Sequence, residues 1–136
     1  MAGVKARVTP GTTEGSGTGM IAIERGMVID INLEPVQGSE TGKLRPCVVV
    51  TNDIYNASVP VIQVVPITAW NEKKKRIMTN VSIMPSPLNG LDKKSIADCL
   101  QTRPIDYLSR LSHVRGRLEP NYMKEIAQAL KVVFSL

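Results

Sequence analysis

The sequence contains an arginine, Arg45, and a threonine, Thr68, whose side chains could contact the same phosphate group. Arg45 lies in the stretch GSETGKLRPCVVV (38–50), between a polar, glycine-punctuated loop and an apolar β-branched run. A guanidinium is charged at any working pH, and its planar fork matches the oxygens of a phosphate. Thr68 ends the longest valine-rich run, PVIQVVPIT (60–68), where its hydroxyl could reach the same anion. Together the two residues suggest a binding site for a phosphodiester backbone.

Each of these residues also has an ordinary structural interpretation. Arg45 could form a salt bridge with a nearby acid, and composition alone favours that outcome; the candidate partners are Glu34, Glu40 and Asp53. A threonine at a strand end often faces solvent or caps a turn. The two interpretations predict different surroundings for Arg45, namely an enclosed ion pair or an open cleft shared with Thr68.

A basic run, EKKKR (72–76), follows Trp70. Cations beside an aromatic ring suit single-stranded nucleic acid, because the protein can follow the phosphates while a base stacks on the ring. The more common meaning of such a run is a solvated hairpin loop. The sequence does not say whether the cations of the second half share a face with this run; they are Lys93, Lys94, Arg103, Arg110, Arg115 and Arg117.

Other catalytic groups are sparse in the sequence. The one histidine, His113, is interpreted as an ordinary strand-end residue, which leaves little room for a Ser-His-Asp or Cys-His site. Cys47 and Cys99 lie in apolar segments without metal-ligand spacing, which predicts buried, reduced thiols. Asp92 and Asp98 lack the clustered carboxylates of a magnesium site, so a metal-dependent nuclease is disfavoured. We therefore predict no metal and no other cofactor.

Length and composition are those of one globular domain with a basic surface. The 136 residues are 43% apolar, enough for a core, and 17 Lys and Arg against 12 Asp and Glu give a formal net charge of +5. The positive charge favours a polyanionic partner such as nucleic acid. No apolar stretch approaches the ~20 residues of a membrane helix, and the N-terminus lacks the apolar centre of a secretory signal. We expect no membrane association and a cytoplasmic location.

The segments that must position Arg45 and Thr68 are short and strand-like. MVIDINL (27–33) alternates apolar and polar residues, as a half-buried strand does. The runs 46–52 and 60–68 are dense in valine and isoleucine, which predicts central strands buried on both faces. Further strands are predicted at 80–84, 95–103 and 113–118.

The C-terminal segment 120–136 changes to a helical period. Its apolar stripe consists of Met123, Ile126, Ala127, Leu130, Val133 and Phe134, and Pro120 suits the first helical position. A further helical turn is predicted within 105–111. Many short strands and one amphipathic helix predict a mainly β, α+β fold, a small antiparallel barrel closed by the helix. Residues 1–20, rich in Gly and Thr, are predicted to form a flexible arm, with the packed domain at 21–136.

Several short motifs occur in a fixed order before the amphipathic helix. They are RG (25–26), GSE (38–40), RP (45–46), VVVTND (48–53), VPIT (65–68), GLDK (90–93), QTRPID (101–106) and GRLEP (116–120). In this order they resemble the MazF/PemK (Kid) family of toxin endoribonucleases, over nearly all of the chain from residue 23 onward.

That resemblance implies a fold, an activity and partners. The fold is a small SH3-like antiparallel β-barrel that forms a homodimer. The activity is metal-independent cleavage of single-stranded RNA at short preferred sequences, by attack of the RNA's own 2′-OH on the scissile phosphate. The protein would be the toxin of a type II toxin–antitoxin system, neutralised by a cognate antitoxin. Because RNA supplies the nucleophile, the shortage of catalytic groups is no obstacle.

The resemblance also implies roles for individual residues. Arg45 and Thr68 are the catalytic residues, Arg45 as an electrostatic clamp on the scissile phosphate and Thr68 as a hydrogen-bonding hydroxyl. Glu40 is expected to orient Arg45. The set predicted to bind RNA is Ser39, Glu40, Lys43, Trp70, Lys73, Lys74, Lys75, Arg76, Gln101 and Arg103.

Two departures from the family pattern restrict what can be carried over. Met27 stands where family members usually have an acid after RG. In Kid-type members an arginine and an aspartate just before the glutamine serve as acid and base. Those positions are Asp98 and Leu100 here, so the Kid assignment does not transfer.

Two other functions remain open on the sequence. One is a non-catalytic, CcdB-like toxin that binds DNA gyrase and cuts nothing. The other is a plain nucleic-acid-binding barrel, disfavoured because aromatic residues are few, with three Tyr, one Trp and one Phe. The presence of both Arg45 and Thr68 favours the cleaving branch.

Overall fold

Alternating apolar side chains build one antiparallel sheet in the computed structural model, which describes residues 21–136. The predicted arm 1–20 lies outside the described residues, so the boundary near residue 21 stays a prediction. The seven strands are β1 (Met27–Asn32), β2 (Leu44–Val49), β3 (Val61–Ala69), β4 (Asn80–Ile83), β5 (Ser95–Asp98), β6 (Arg103–Asp106) and β7 (Leu111–Arg117).

The strands follow the order β4-β5-β3-β2-β1-β7, and β6 pairs with β3 beside this path. No ladder joins β7 to β4 within the described part of the chain. Instead, the turn after β4 reaches β7, since the Arg117 amide donates to the Leu88 carbonyl at 2.9 Å. Gly90, at φ +69°, lies in that turn, and a Cβ there would stand 2.5 Å from the Arg115 carbonyl oxygen. The result is a barrel-like sheet, as predicted, although hydrogen bonds from a turn replace one closing ladder.

The central strands carry apolar side chains on both faces, which confirms the prediction for β2 and β3. Val48 and Val65 pack in one cluster with the C-terminal helix, while Cys47, Val49 and Val64 pack in a second cluster. Successive residues of a strand point to opposite faces, so a continuous valine run fills both clusters at once. The second cluster lies on the face that leads, along β2 and β3, to Arg45 and Thr68.

The described residues also form four α-helices: α1 (Asp53–Asn56), α2 (Glu72–Lys75), α3 (Tyr107–Arg110) and α4 (Pro120–Phe134). Pro120 begins α4 as predicted, and Met123, Ile126 and Ala129 are its buried residues. Phe134, which the sequence assigned to the apolar stripe, is 58% exposed. The stripe ends at Val133, which still packs against the core cluster, one residue earlier than predicted. No helix of residues 21–136 has the length and apolar character to cross a membrane.

The predicted strand 95–103 is wrong beyond its first four residues. Only Ser95–Asp98 forms a strand, β5; a 3-10 turn follows over Cys99–Gln101, and β6 begins at Arg103. Both β5 and β6 pair with β3, with Thr68 opposite Ile96 and Val64 opposite Arg103. The turn therefore inserts three extra residues into an otherwise continuous edge. The run 72–76, interpreted as a hairpin loop, forms the short helix α2, which Asn71 caps through a hydrogen bond from the Lys74 amide.

Candidate active site

Arg45 and Thr68 are brought together by the pairing of β2 with β3. The ladder between these strands ends at Cys47 opposite Pro66. Arg45 and Thr68 each lie two residues beyond that last pair, on the same face, because side chains repeat every second residue. At this point β3 continues alongside β5, so Thr68 stands between Arg45 on one side and β5 on the other.

The guanidinium of Arg45 is held by the backbone and not by an acid. Its Nε donates to the Gly42 carbonyl at 2.9 Å. No ion pair of Arg45 occurs within residues 21–136, so the predicted salt bridge to Glu34, Glu40 or Asp53 is not formed. Nor does Glu40 orient the guanidinium, since its carboxylate accepts from the Gln37 amide at 2.8 Å. One edge of the fork is anchored and the other is left for a ligand.

Arg45 and Thr68 open into a cleft of about 490 Å³, here called the loop-side cleft. The loop between β1 and β2 forms one wall with Glu34, Val36, Ser39, Glu40, Thr41, Gly42 and Lys43, and the sheet side contributes Arg45, Thr68, Lys74, Asp98 and Gln101. The loop packs closely around Gly42, since a Cβ there would stand 2.7 Å from Cγ2 of Val36. The same loop aims the Gly42 carbonyl at Arg45.

A second cleft, of about 240 Å³, continues from the same two residues. We call it the Lys93-side cleft; Arg45 and Thr68 belong to its lining as well, together with Asp92, Lys93, Ser95 and Arg115 among others. Arg115 is committed to the protein, with Nε 2.7 Å from an Asp30 oxygen and Nη1 3.1 Å from the Gly90 carbonyl. Lys93 is exposed and makes no ion pair within residues 21–136.

Lys74 places a positive charge directly beside Thr68. Its Nζ lies 3.1 Å from the Thr68 hydroxyl oxygen and 3.2 Å from the Ala69 carbonyl. The Asn71 side chain caps α2, the helix that carries Lys74. Arg45 from β2 and Lys74 from α2 thus line the cleft that contains Thr68. Such an arrangement favours an anion at Thr68.

Asp98 is an acid in the same cleft that the sequence did not assign to catalysis. Burial raises the pKa of its carboxyl above the ordinary value; the backbone amides of Gln101 and Leu100 and the charge of Lys74 act against this and offset it in part. Its location follows from β5, since Ile96 lies opposite Thr68 and Asp98 is two residues further on the same face. The position of Asp98 shortly before the QTR motif is the sequence feature that could have indicated its place in the cleft.

Gln101 ties the loop wall to the sheet. Its side-chain oxygen accepts from the Thr41 amide at 3.2 Å, and its side-chain nitrogen donates to the Ser39 carbonyl at 3.2 Å. The 3-10 turn presents Gln101 for both contacts. The predicted placement of this residue at the groove is therefore observed, with the added finding that it holds the loop.

Replacing Gln101 with alanine is expected to loosen this loop and weaken substrate binding. Two hydrogen bonds of roughly 0.5–1.5 kcal/mol each are lost, about 1–3 kcal/mol together, so KM should rise about fivefold to 150-fold with kcat less affected. Amide hydrogen exchange of residues 38–42 should accelerate in the variant. Gln128→Ala, an exposed change on α4, is the matched control. Unchanged exchange in Gln101→Ala would show that the loop is held by other contacts.

The remaining predicted binding residues lie outside both clefts. The Trp70 indole donates to the Ser82 hydroxyl at 3.1 Å, and the Lys94 ammonium sits 3.9 Å from its ring centre. Arg103 donates to the Leu33 carbonyl at 3.1 Å. Lys73, Lys75 and Arg76 are exposed on or beside α2. For these five residues RNA binding stays a prediction.

The thiols and the histidine have no part in this site. Burial raises the pKa of Cys47 and that of Cys99 to about 12, so both are uncharged, unreactive thiols, as predicted. His113 is exposed on β7, opposite Asp30, outside both clefts. The charged side chains that line the cleft with Thr68 are therefore those of lysine, arginine and carboxylate residues.

Comparison with known proteins places this chain among one group of toxins. The sequence pattern of the family described as "PemK-like, MazF-like toxin of type II toxin-antitoxin system" matches residues 24–134. A curated relative, Endoribonuclease MazF from Staphylococcus saprophyticus, is 38% identical over 114 residues, which are 84% of this chain and 92% of the relative.

Solved structures share the fold at lower sequence identity. MazF from Deinococcus radiodurans superimposes with a TM-score of 0.74 at 20% identity, covering 86% of this chain and all of that one. An endoribonuclease in complex with its cognate antitoxin, from a mycobacterial species, has a TM-score of 0.67 at 22% identity, covering 85% of this chain and 97% of that one.

Proposed function

The chain belongs to the PemK-like, MazF-like toxins of type II toxin–antitoxin systems, and on that premise we propose that this endoribonuclease cuts single-stranded RNA without a metal ion. The cut occurs at short preferred sequences. The nucleophile is the 2′-OH next to the scissile phosphate, and the products are a 2′,3′-cyclic phosphate and a 5′-hydroxyl end.

One observation carries this proposal: Arg45 and Thr68 are shared by two clefts that extend to either side of them. An RNA strand crossing from the loop-side cleft to the Lys93-side cleft would place one phosphate at the shared pair. Nucleotides before and after that phosphate would then occupy different surroundings. This is the geometry that cutting within a strand, and not at its end, requires.

In this reaction the enzyme mainly places positive charge and hydrogen-bond donors around the scissile phosphate. Arg45, with one edge of its fork held by Gly42, presents its free edge to a non-bridging oxygen and stabilises the charge that develops on phosphorus. The Thr68 hydroxyl donates to a second oxygen or orients the 2′-OH. Lys74, 3.1 Å from Thr68, adds a further positive charge.

Cleavage without a metal ion is consistent with the arrangement of the potential metal-binding side chains. No group of three or more His, Cys, Asp or Glu side chains able to hold a metal is found among residues 21–136. The test is a gel assay on a long single-stranded RNA with EDTA present and the cut ends mapped. Internal cuts that persist in EDTA support the proposal, and cleavage that needs an added divalent ion overturns its metal-free part.

The alternative of a non-catalytic toxin gives a different result in the same assay. A CcdB-like protein would inhibit DNA gyrase and leave the RNA intact, and a plain nucleic-acid-binding barrel would retard the RNA without cutting it. Either outcome would contradict the mechanism proposed for Arg45 and Thr68.

We propose two protein partners on the basis of the family. One is a cognate antitoxin, supported by the structures of related toxins solved with theirs. The other is a second copy of this chain. A formal charge of +5 suits an acidic antitoxin as well as RNA.

Lys93 provides a test of whether RNA enters the Lys93-side cleft. Lys93→Ala should weaken binding of a 2′-O-methyl RNA, which cannot be cut, and should reduce the magnitude of the salt slope of log K by about 0.7, the value for one single-strand phosphate contact. The measurement is fluorescence anisotropy across a salt series. Lys131→Ala, an exposed lysine on α4, is the control. An identical slope for wild type and Lys93→Ala would place the RNA elsewhere.

A further inference from the structure

Arg45 and Thr68 do not account for the proton transfers of the proposed reaction. A guanidinium holds its proton at every working pH, and a threonine hydroxyl is a poor acid and a poor base. Two-sided general acid–base catalysis needs one group to take the 2′-OH proton and another to supply the 5′ oxygen. Asp98 and Lys74 are the other ionisable groups that line the cleft from the sheet side.

These two residues approach Thr68 from separate elements. Lys74 reaches from α2, with its Nζ 3.1 Å from the Thr68 hydroxyl oxygen. Asp98 ends β5, on the face that Thr68 shares through its partner Ile96. Both line the cleft into which Arg45 points, so a phosphate held by Arg45 would have a carboxylate and an ammonium within its surroundings.

Asn80, the neighbour of Asp98 on β4, has a side-chain oxygen that could accept a hydrogen bond from a protonated Asp98. Asn80 lies directly opposite Asp98, and cross-strand neighbours have Cβ atoms ~4.5–5.5 Å apart. The Asn80 side-chain nitrogen donates to the Lys74 carbonyl at 3.0 Å, while its oxygen is buried and accepts no hydrogen bond within residues 21–136. A protonated Asp98 would supply the donor that this oxygen lacks.

We propose that Asp98 is the general base of the cleavage reaction and that Lys74 is its general acid. The proposal rests on the proposed function. The Asp98 carboxylate takes the 2′-OH proton as the 2′-oxygen forms its bond to phosphorus. The bond from phosphorus to the 5′ oxygen breaks, and the Lys74 ammonium gives that oxygen its proton. Transfer of the proton from the Asp98 carboxyl to the neutral Lys74 amine, directly or through water, then restores both groups.

Burial of Asp98 supports the assignment independently, because a carboxylate with a raised pKa is a stronger base at neutral pH. The other charged groups around it are Lys74 from α2, Arg45 from β2, and Glu34, Glu40 and Lys43 from the β1–β2 loop. The acid limb of the kcat profile should therefore begin at a higher pH than an ordinary aspartate would give.

The test compares single-turnover and steady-state cleavage by wild type, Asp98→Asn and Lys74→Met. We expect kcat to fall about 100- to 10,000-fold in Asp98→Asn, with KM changed less than about threefold, and the acid limb to disappear. Asp106→Asn is the matched control, because Asp106 is exposed at the far end of the β3–β6 pair and asparagine caps α3 equally well.

A substrate with sulfur in place of the bridging 5′ oxygen separates the two roles. A thiolate leaves without being protonated, so this substrate should restore most of the rate to Lys74→Met and none to Asp98→Asn. Restoration of Asp98→Asn alone would reverse the roles and overturn the assignment. A rate for Asp98→Asn within about threefold of wild type would remove Asp98 from the reaction, while metal-free cleavage by the wild type would still support the proposed function.

The unfolding temperature of Asp98→Asn, compared with that of wild type, shows whether the variant folds normally. The folded-state pKa of Asp98 is raised, so its charge opposes folding above the unfolded-state pKa. Asp98→Asn should therefore unfold at an equal or higher temperature than wild type at neutral pH, and the difference should vanish in acid. If Asp98→Asn lowers the unfolding temperature, the residue has a structural role. The wild-type pH profile would then decide by itself, and a profile without an acid limb above the ordinary aspartate range overturns the proposal.

Discussion

Arg45→Ala is expected to lower kcat for RNA cleavage by about 100- to 1,000-fold, the usual effect of removing one preorganised donor from an anion site. The Arg45 side chain makes no ion pair within residues 21–136, and its one hydrogen bond there is to the Gly42 carbonyl. Its loss should therefore leave the sheet intact. The measurement is a single-turnover time course on a defined RNA, together with thermal unfolding.

Two further variants sharpen this result. Arg45→Lys keeps the charge but loses the planar fork, so its rate should fall between those of Arg45→Ala and wild type. Arg117→Ala removes an arginine that pairs with Glu24 outside both clefts and should cut RNA at nearly the wild-type rate. Wild-type cleavage by Arg45→Ala would show that the scissile phosphate binds elsewhere.

Asn89→Ala is expected to lower the free energy of unfolding by about 3 kcal/mol, since four hydrogen bonds of a fully buried side chain are lost. Asn89 is fully buried. Its side-chain nitrogen donates to the Met84 carbonyl and to Glu119, both at 3.0 Å, and its oxygen accepts from the amides of Ser86 and Leu91. These bonds hold the turn after β4 against the start of α4, the turn that closes the sheet onto β7.

Urea unfolding of Asn89→Ala beside Asn121→Ala, an exposed change on α4, measures this effect. It should also depend on pH. Desolvation alone would raise the pKa of Glu119, but hydrogen bonds from Ser86, its own amide and Asn89 outweigh it, and the net pKa is lowered. A lowered pKa stabilises the fold above the unfolded-state value and ceases to do so as the pH falls through the folded-state value. The difference between wild type and Asn89→Ala should therefore shrink in acid; a difference independent of pH would exclude Glu119 from the network.

Strands and the terminal helix were predictable because their signals are local. Period-two alternation located β1, valine runs located β2 and β3, and Pro120 with the helical stripe located α4. The end of β5 at Asp98 and the 3-10 turn over Cys99–Gln101 were not predictable in this way, because the apolar residues Cys99 and Leu100 continue the strand-like composition of the segment. The turn separates two strands that pair with β3 in different registers, and a local sequence pattern does not specify those registers.

The same division applies to the site. The order of the short motifs determined the family, and with it the expectation that Arg45 and Thr68 act together, since motif order is written along the chain. Tertiary structure alone decided that Arg45 forms no ion pair within residues 21–136, that Gln101 holds the loop, and that Asp98 lines the same cleft as Thr68. The last two bring together residues that are distant in sequence. They depend on strand register and on a three-residue insertion at one edge, and a local pattern of side chains contains neither.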